Sequence, residues 1–384
     1  MQGRKHTTTS KRRRRYLWIT DGESDDLAAL LLVLLLILLG HNISIPAILV
    51  LNDRQKKDGW NRFYWVNKLL DIYRLQNPSS EPIHCEECLN IDEAESRIEV
   101  LLKIYPDCYD IFSLGSVLPF AGMQTSDFKG TPINVWTYGS VNIRWAASHM
   151  SKQLASVEQA DLIPSDPYEI LAQMFNAPDA RLKFHIFETF GAYGPKSSST
   201  INIVSCPELY DWIRDDTSDY ALFLRDAIIG WNTVSYNRIV AKIGADLLQE
   251  MLSQVDPSIV LSFQTVSDYI SRIYGPLQRL VESNPKLKMD VDILVYMAKC
   301  PLQMVCADVG LAAAATVDGL DAHFIPCTIG FGDGSNGGKR FTTPKFSEEA
   351  TPATSTYFTV LGDRQNVDIF QTVTDSILSV FAER

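Results

Sequence analysis

The most chemically loaded stretch of the chain is ITDGESDD, residues 19–26, where Asp21, Glu23, Asp25 and Asp26 crowd one short segment. Carboxylates so close repel one another. A helix N-terminus accommodates one or two of them through its dipole and free N–H groups, so one reading is an acidic helix cap. The other is a cation site. Calcium takes about six to eight hard oxygen ligands from carboxylates, carbonyls and waters, and Asp21 at a strand end and Asp26 in the first helical turn can both reach one ion. Such a site needs further ligands from distant parts of the chain.

The elements that must position these acids follow from the flanking pattern. Tyr16 to Thr20, YLWIT, is β-branched and aromatic and reads as a strand. Leu27 to Leu39, LAALLLVLLLILL, is thirteen apolar residues. A membrane span needs about 20, so this run reads as a fully buried helix. The strand, loop and helix unit then repeats. Ile45 to Leu51 is a buried strand followed by a helix near Trp60 to Leu75, Ile83 leads to a helix near Ala94 to Tyr105, and strand Ile133 to Tyr138 runs into helix Val141 to Leu154.

Further along, Lys183 to Phe190 is a strand candidate, Pro207 to Arg214 opens a helix, and Leu222 to Tyr296 is mainly helical between prolines. Asp308 to Leu320 is an Ala-rich buried helix, and Tyr357 to Leu361 is a strand before a closing helix from Val367 to Phe381. Strands alternating with helices predict an α/β fold with a mostly parallel central sheet flanked by helices, Rossmann-like in its core. Ligands sit at the carboxyl ends of the strands in such sheets, which is where Asp21 falls.

The segment WITDGESDDLAALLL resembles the signature of the inosine/uridine-preferring nucleoside hydrolases, D-x-D-P-G-x-D-D-x-x-A-L. Asp21, Asp25, Asp26, Ala29 and Leu30 match it, Ile19 replaces the first Asp, and Gly22 and Glu23 replace Pro-Gly. The resemblance continues in order through most of residues 16–384. VLNDRQ puts Asn52 where the family's second strand ends in Asn. TYGSVNI puts Asn142 at a Thr whose backbone carbonyl binds calcium. STINIVSCPE matches Asn202 to a ribose-binding Asn, and CADVGLAAA puts Asp308 on the last calcium Asp.

What the resemblance implies is therefore a nucleoside hydrolase-like domain over 16–384 with Ca2+ held by Asp21, Asp26, the Asn142 carbonyl and Asp308. It implies Asp21 as the general base, and Asp25, Asn52 and Asn202 as the residues that bind the substrate, a nucleoside or related ribosyl compound whose N-glycosidic bond is hydrolysed. The pattern departs from the family at Thr200 and Gly194, where ribose-binding Glu and Asn stand, at Cys206 in place of Asp, and at Ala307 in place of His. The calcium set is complete while the sugar clamp is eroded. The expectation is either hydrolysis of an altered nucleoside or a catalytically weak or inactive relative with a structural, assembly or ribosyl-binding role. The family is commonly dimeric or tetrameric, which makes a homo-oligomer the expected assembly.

Composition limits the alternatives. With 384 residues, 46% hydrophobic and 21% charged, the chain can bury a sizeable core and is neither disordered nor disulfide-stapled. Residues 1–15 carry seven cations and no acid; removing them from the net −11 leaves −18 on the remainder. A body so acidic repels phosphate backbones, so contact with nucleic acid or an acidic partner falls to the basic N-terminal arm, 1–15. That arm reads as a nuclear address, an organelle-targeting stretch, a polyanion-binding tail or a solvated tail, and not as a secretory signal. Seven scattered cysteines suit a reducing intracellular compartment, cytoplasmic first and nuclear or organellar otherwise. No membrane span is expected.

Other signals carry less. His84, Cys85 and Cys88 in HCEEC lack the second ligand pair of a zinc site and read as a strand-edge loop with two free thiols. GFGDGSNGGK reads as a hairpin tip without Walker spacing. Cys206 has no histidine placed to activate it, and Phe190 and Tyr193 are core aromatics before they are base-stacking ones.

Overall fold

The structure is a computed structural model, and it describes residues 13–52, 59–123, 132–138, 167–177, 181–188, 207–246, 307–316, 325–331, 344–347 and 356–360, with Ile143, Ala146 and Met150. In chain order the elements are β1 (Arg14–Thr20), α1 (Ser24–Leu38), β2 (Ile43–Leu51), α2 (Arg62–Gln76), β3 (His84–Cys88), α3 (Ala94–Ile104), β4 (Asp110–Ser113) and α4 (Phe120–Met123). They continue with β5 (Ile133–Tyr138), α5 (Pro167–Asn176), β6 (Leu182–Glu188), α6 (Pro207–Asp215), α7 (Asp219–Ile243), α8 (Ala307–Thr316), β7 (Ile325–Phe331), β8 (Pro344–Ser347) and β9 (Thr356–Val360).

Among the described residues these strands form one sheet of order β3-β2-β1-β4-β5-β6-β9-β7-β8. From β3 to β9 every neighbouring pair is parallel; β7 runs antiparallel to β9 and β8 antiparallel to β7. This is an α/β fold with a mostly parallel sheet flanked by helices. The chain winds outward from β1 through β2 to β3, then returns to the other side of β1 and winds outward through β4, β5 and β6. The order reverses between β1 and β4. A crevice opens at such a switch point, outside the carboxyl ends of the strands.

Alternation along β1 shows why the sheet is buried on both faces. Tyr16 and Trp18 join a cluster built from α1, α2, α7 and α8, whereas Leu17 and Ile19 join the opposite cluster from α3, α4 and α5. Period-two alternation sends successive side chains to opposite faces, and apolar residues at both sets of positions require two covering layers. Phe112 of β4 stacks obliquely on Trp18 with centroids 4.6 Å apart.

Helix α1 lies in the middle of the first layer. Leu27 through Leu36 are all at most 1% exposed, because α2, α7 and α8 pack around a helix that is apolar on every side. A helix of that kind belongs in a core or a bilayer, and among the described residues no helix is long and apolar enough to cross a membrane. The small side chains of ADVGLAAAAT let α8 lie against α1.

Three local features differ from the sequence reading. Strand β4 and helix α5 carry no strong pattern and come as additions. HCEEC is an edge strand and not a loop: Cys85 packs toward one core and Cys88 toward the other, as an offset of three on a strand requires, and the Cys88 thiol donates to the Asn90 carbonyl at 2.9 Å. The chain enters β1 already at Arg14, and Arg15 donates to Asp107 at 2.6 Å while Arg13 pairs with Glu81 at 3.0 Å. The Gly-rich stretch is flanked by the antiparallel pair β7 and β8; its tip, 332–343, lies outside the described residues.

Candidate metal centre

The acidic loop follows β1 at the switch point. Thr20 closes the strand, residues 21–23 turn, and α1 starts at Ser24 with Asp25 and Asp26 in its first turn. Glu23 sits at the N-cap position but makes no side-chain cap hydrogen bond. Instead Thr20 fastens the turn, its hydroxyl donating to Asp26 Oδ1 at 2.5 Å and accepting from the Gly22 N–H at 2.9 Å. Gly22 adopts φ 63°, a left-handed conformation open to glycine at little cost.

Asp308 arrives from the far end of the chain. It is in the first turn of α8, and the packing of α8 along α1 brings the two helix starts together. Asp25, Asp26 and Asp308 then form a cluster in which one carboxylate oxygen from each lies within 4.8 Å of the others. Asp26 and Asp308 are buried and Asp25 is half-buried.

The electrostatics follow from that geometry. Burial, with the nearby Asp21 charge second, pushes the Asp25 carboxyl up to about 7, against which the backbone N–H groups of Asp25 and Asp26 act. Asp26 is held well above the usual carboxylate range by burial first and then by Asp21, Asp308 and Asp25. Asp308 is raised in the same way by burial, Asp25, Asp21 and Glu23, and shares a hydrogen bond with Asp25. Its Oδ1 is buried with no hydrogen-bond partner among the described residues. Buried anions so close are costly unless a proton or a cation intervenes.

A divalent cation fits these donors. All three are hard carboxylate oxygens, without thiol or imidazole, which suits calcium or magnesium over zinc or copper. The orphaned Oδ1 of Asp308 is the kind of atom a cation would satisfy. The acids therefore exceed the needs of a simple helix cap.

The other sequence-predicted positions distribute as follows. Asp21 is half-buried at the carboxyl end of β1, close enough to raise the carboxyls of Asp25 and Asp26, though it lies outside the three-carboxylate group. Its backbone abuts Gly115 in the turn after β4, where an added Cβ would stand 3.5 Å from Asp21 Cβ and 3.1 Å from Leu51. Asn52 is buried just past β2, and its amide faces protein: Oδ1 accepts from the Arg62 N–H at 3.3 Å and Nδ2 donates to Glu87. Asn142, Asn202, Thr200, Gly194, Cys206, Phe190 and Tyr193 lie outside the described residues. Ala307 is the first residue of α8.

Sequence reasoning did not anticipate Trp60 and Arg62. Trp60 Nε1 donates to the Gly22 carbonyl at 2.8 Å, and Arg62 NH2 lies 3.9 Å from Glu23 Oε1. One signal was available. Asn61 is a strong N-cap, and its side chain accepts from the Tyr64 N–H, which places Arg62 in the first turn of a helix, where the dipole disfavours a cation and an acidic partner is to be sought.

No family model matches the chain, and no curated protein matches it. Solved structures that resemble it include a plant nucleoside hydrolase, at 10% identity and TM-score 0.49 over 96% of this chain and 99% of the other. An inosine-guanosine nucleoside hydrolase follows at 11% and 0.44 over 96% and 99%. A purine-preferring ribonucleoside hydrolase from Gardnerella vaginalis matches at 11% and 0.41 over 96% and 100%.

Proposed function

We propose that the chain hydrolyses the N-glycosidic bond of a nucleoside or related ribosyl compound with calcium at the carboxylate cluster. The observation that carries the reading is the convergence of Asp25, Asp26 and Asp308 at the switch point, with Asp308 Oδ1 buried and unsatisfied among the described residues. The motif resemblance around Asp21, Asp25 and Asp26 supplies the reaction class.

Asp26 and Asp308, both buried, would be the principal ligands, joined, as the resemblance implies, by Asp21 and the Asn142 carbonyl. When bound, the ion would supply positive charge that lowers the pKa of water at the site. Asp21, at the carboxyl end of β1, would serve as the general base toward the attacking water. Asp25, the half-buried member of the cluster, would accept from ribose hydroxyls, with Asn202 as a second sugar contact, as the resemblance implies. Asn52 ties the end of β2 to the start of α2 through the Arg62 N–H. Charge on the anomeric carbon grows as the base leaves, so acids fixed nearby stabilise the transition state more than the ground state.

The test is release of free base and ribose from a panel of ribo- and deoxyribonucleosides, with calcium or with chelator, for the wild type and Asp21→Asn. Calcium-dependent release that falls by several powers of ten in the variant is the expected result. Calcium binding without release from any nucleoside would contradict hydrolysis, and would favour a ribosyl-binding or structural role consistent with Thr200, Gly194 and Ala307.

A further inference from the structure

Arg62 is fully buried and stands where a helix dipole opposes it. A buried cation is costly unless anions and acceptors surround it. Among the described residues, one of the groups that meets this demand is Glu23 of the acidic loop. NH2 lies 3.9 Å from Glu23 Oε1, NH1 donates to the Trp60 carbonyl at 3.3 Å, and the guanidinium carbon lies 6.0 Å from the centre of the Trp231 ring.

The backbone tightens the same join. The Arg62 N–H donates to Asn52 Oδ1, tying the start of α2 to the end of β2. Trp60 Nε1 donates to the Gly22 carbonyl at 2.8 Å. Gly22 meets Arg62 so closely that a Cβ there would lie 2.9 Å from Arg62 Cβ. Trp60 is itself fixed, stacked on Trp65 at 4.9 Å and edge-on to Trp231 at 5.6 Å. The outer side of the turn, Gly22 and Glu23, is thus gripped by two residues of the 59–62 segment, while its two ends present Asp21, Asp25 and Asp26.

We propose that Trp60 and Arg62 form a clamp that holds the acidic loop in its cluster-forming conformation, which makes Arg62 a positioning residue of the cation site. The inference rests on the reading of Asp25, Asp26 and Asp308 as that site. Ionised carboxylates so close repel one another and push the loop outward wherever neither a cation nor a proton lies between them. A tether with a positive charge behind it resists that relaxation, so the cation meets ligands already in place and less ordering free energy is lost on binding.

Three variants test it: Trp60→Phe, which keeps the ring but loses the N–H donor, Arg62→Met, which loses the charge at similar length, and Arg62→Lys. Two readouts are needed, amide hydrogen exchange of residues 21–27 without cation and terbium titration as a luminescent stand-in for calcium. Exchange in 21–27 is expected to quicken about tenfold or more in Trp60→Phe and Arg62→Met with β1 and α2 little changed. Terbium affinity is expected to fall about tenfold or more, with Arg62→Lys intermediate in both readouts.

A purely structural role would loosen the whole sheet together and give no partial rescue by lysine. Unchanged loop exchange in both variants, or quickened exchange with unchanged terbium affinity, would overturn the proposal. If Arg62→Met does not fold, Trp60→Phe decides it. A wild type that binds no terbium would overturn the cation-site reading instead, and the loop exchange then judges the clamp by itself.

Discussion

At the scale of residues, the unusual feature is the number of acids kept close in a space with little water. Asp26 and Asp308 are buried, each raised well above the usual carboxylate range by burial and by its acidic neighbours. Replacing Asp308 by Asn removes one of these charges at nearly constant volume. The cation-free variant is expected to melt at or above the wild-type temperature, while the stabilisation by calcium disappears; for the wild type at about one hundred times Kd that stabilisation is about 2.7 kcal/mol. Thermal unfolding with and without calcium checks both parts. A different titration belongs to His185, sandwiched between Trp136 and Tyr357 with centroids 4.2 and 5.1 Å away. Burial, with Arg14 second, lowers its pKa from 6.5 to about 4. The unfolded chain therefore binds more protons in that window, so this group's contribution is whole above about pH 6.5 and is lost as the pH falls toward 4, a loss on the order of 2 to 3 kcal/mol. The difference in stability between wild type and His185→Gln, measured by denaturant unfolding across that range, should shrink by that amount as the pH falls.

At the scale of elements, the loop 21–23 is held by conformation as well as by contacts. Gly22→Ala places a Cβ in left-handed backbone and against Arg62, and is expected to cost about 1 to 3 kcal/mol in denaturant unfolding. Strand β1 begins at Arg14, where it pairs with Ile43, and Arg15 pairs with Ser44 and with Asp107. A truncation that removes residues 1–15 should accordingly be less stable, by about 1 to 3 kcal/mol, than one that removes only 1–12; comparing their melting curves isolates residues 13–15. The strands and helices were legible where pattern was dense. Tyr16 to Thr20, the leucine run, and Ile133 to Tyr138 declare themselves through β-branched content, length and bounding turns. The four residues of β4 do not, because DIFS is short and its place is decided by β1 and β5 on either side. Yet β4 is one wall of the switch point. Local pattern reports what a segment prefers, and the centre of a parallel sheet is assigned by its neighbours.

At the scale of the whole molecule, the site exists because two distant helix starts meet. The acids of residues 21–26 were legible in sequence, since four of them in one turn demand an explanation. Asp308 was reached only through resemblance to a family signature, for nothing near it in sequence marks it as a partner of Asp26. The Asn61 cap hinted that Arg62 needs an acidic partner, but which one was not legible, because the contacts run between a turn after β1 and a segment after β2. What joins these parts is the sheet order, which sets β1 between β2 and β4, and the packing of the Ala-rich α8 on the leucine helix α1. Protons and a cation compete for the same oxygens, so the stabilisation by calcium should weaken as the pH is lowered.

The most direct measurement of the central claim is calorimetric titration of calcium into the wild type and into Asp308→Asn at neutral pH, with circular dichroism to establish that the variant is folded. The carboxylate cluster predicts about one ion bound by the wild type and affinity lower by about one hundredfold or more in the variant. Equal affinity in the two proteins, or a folded wild type that takes up no calcium, would contradict it.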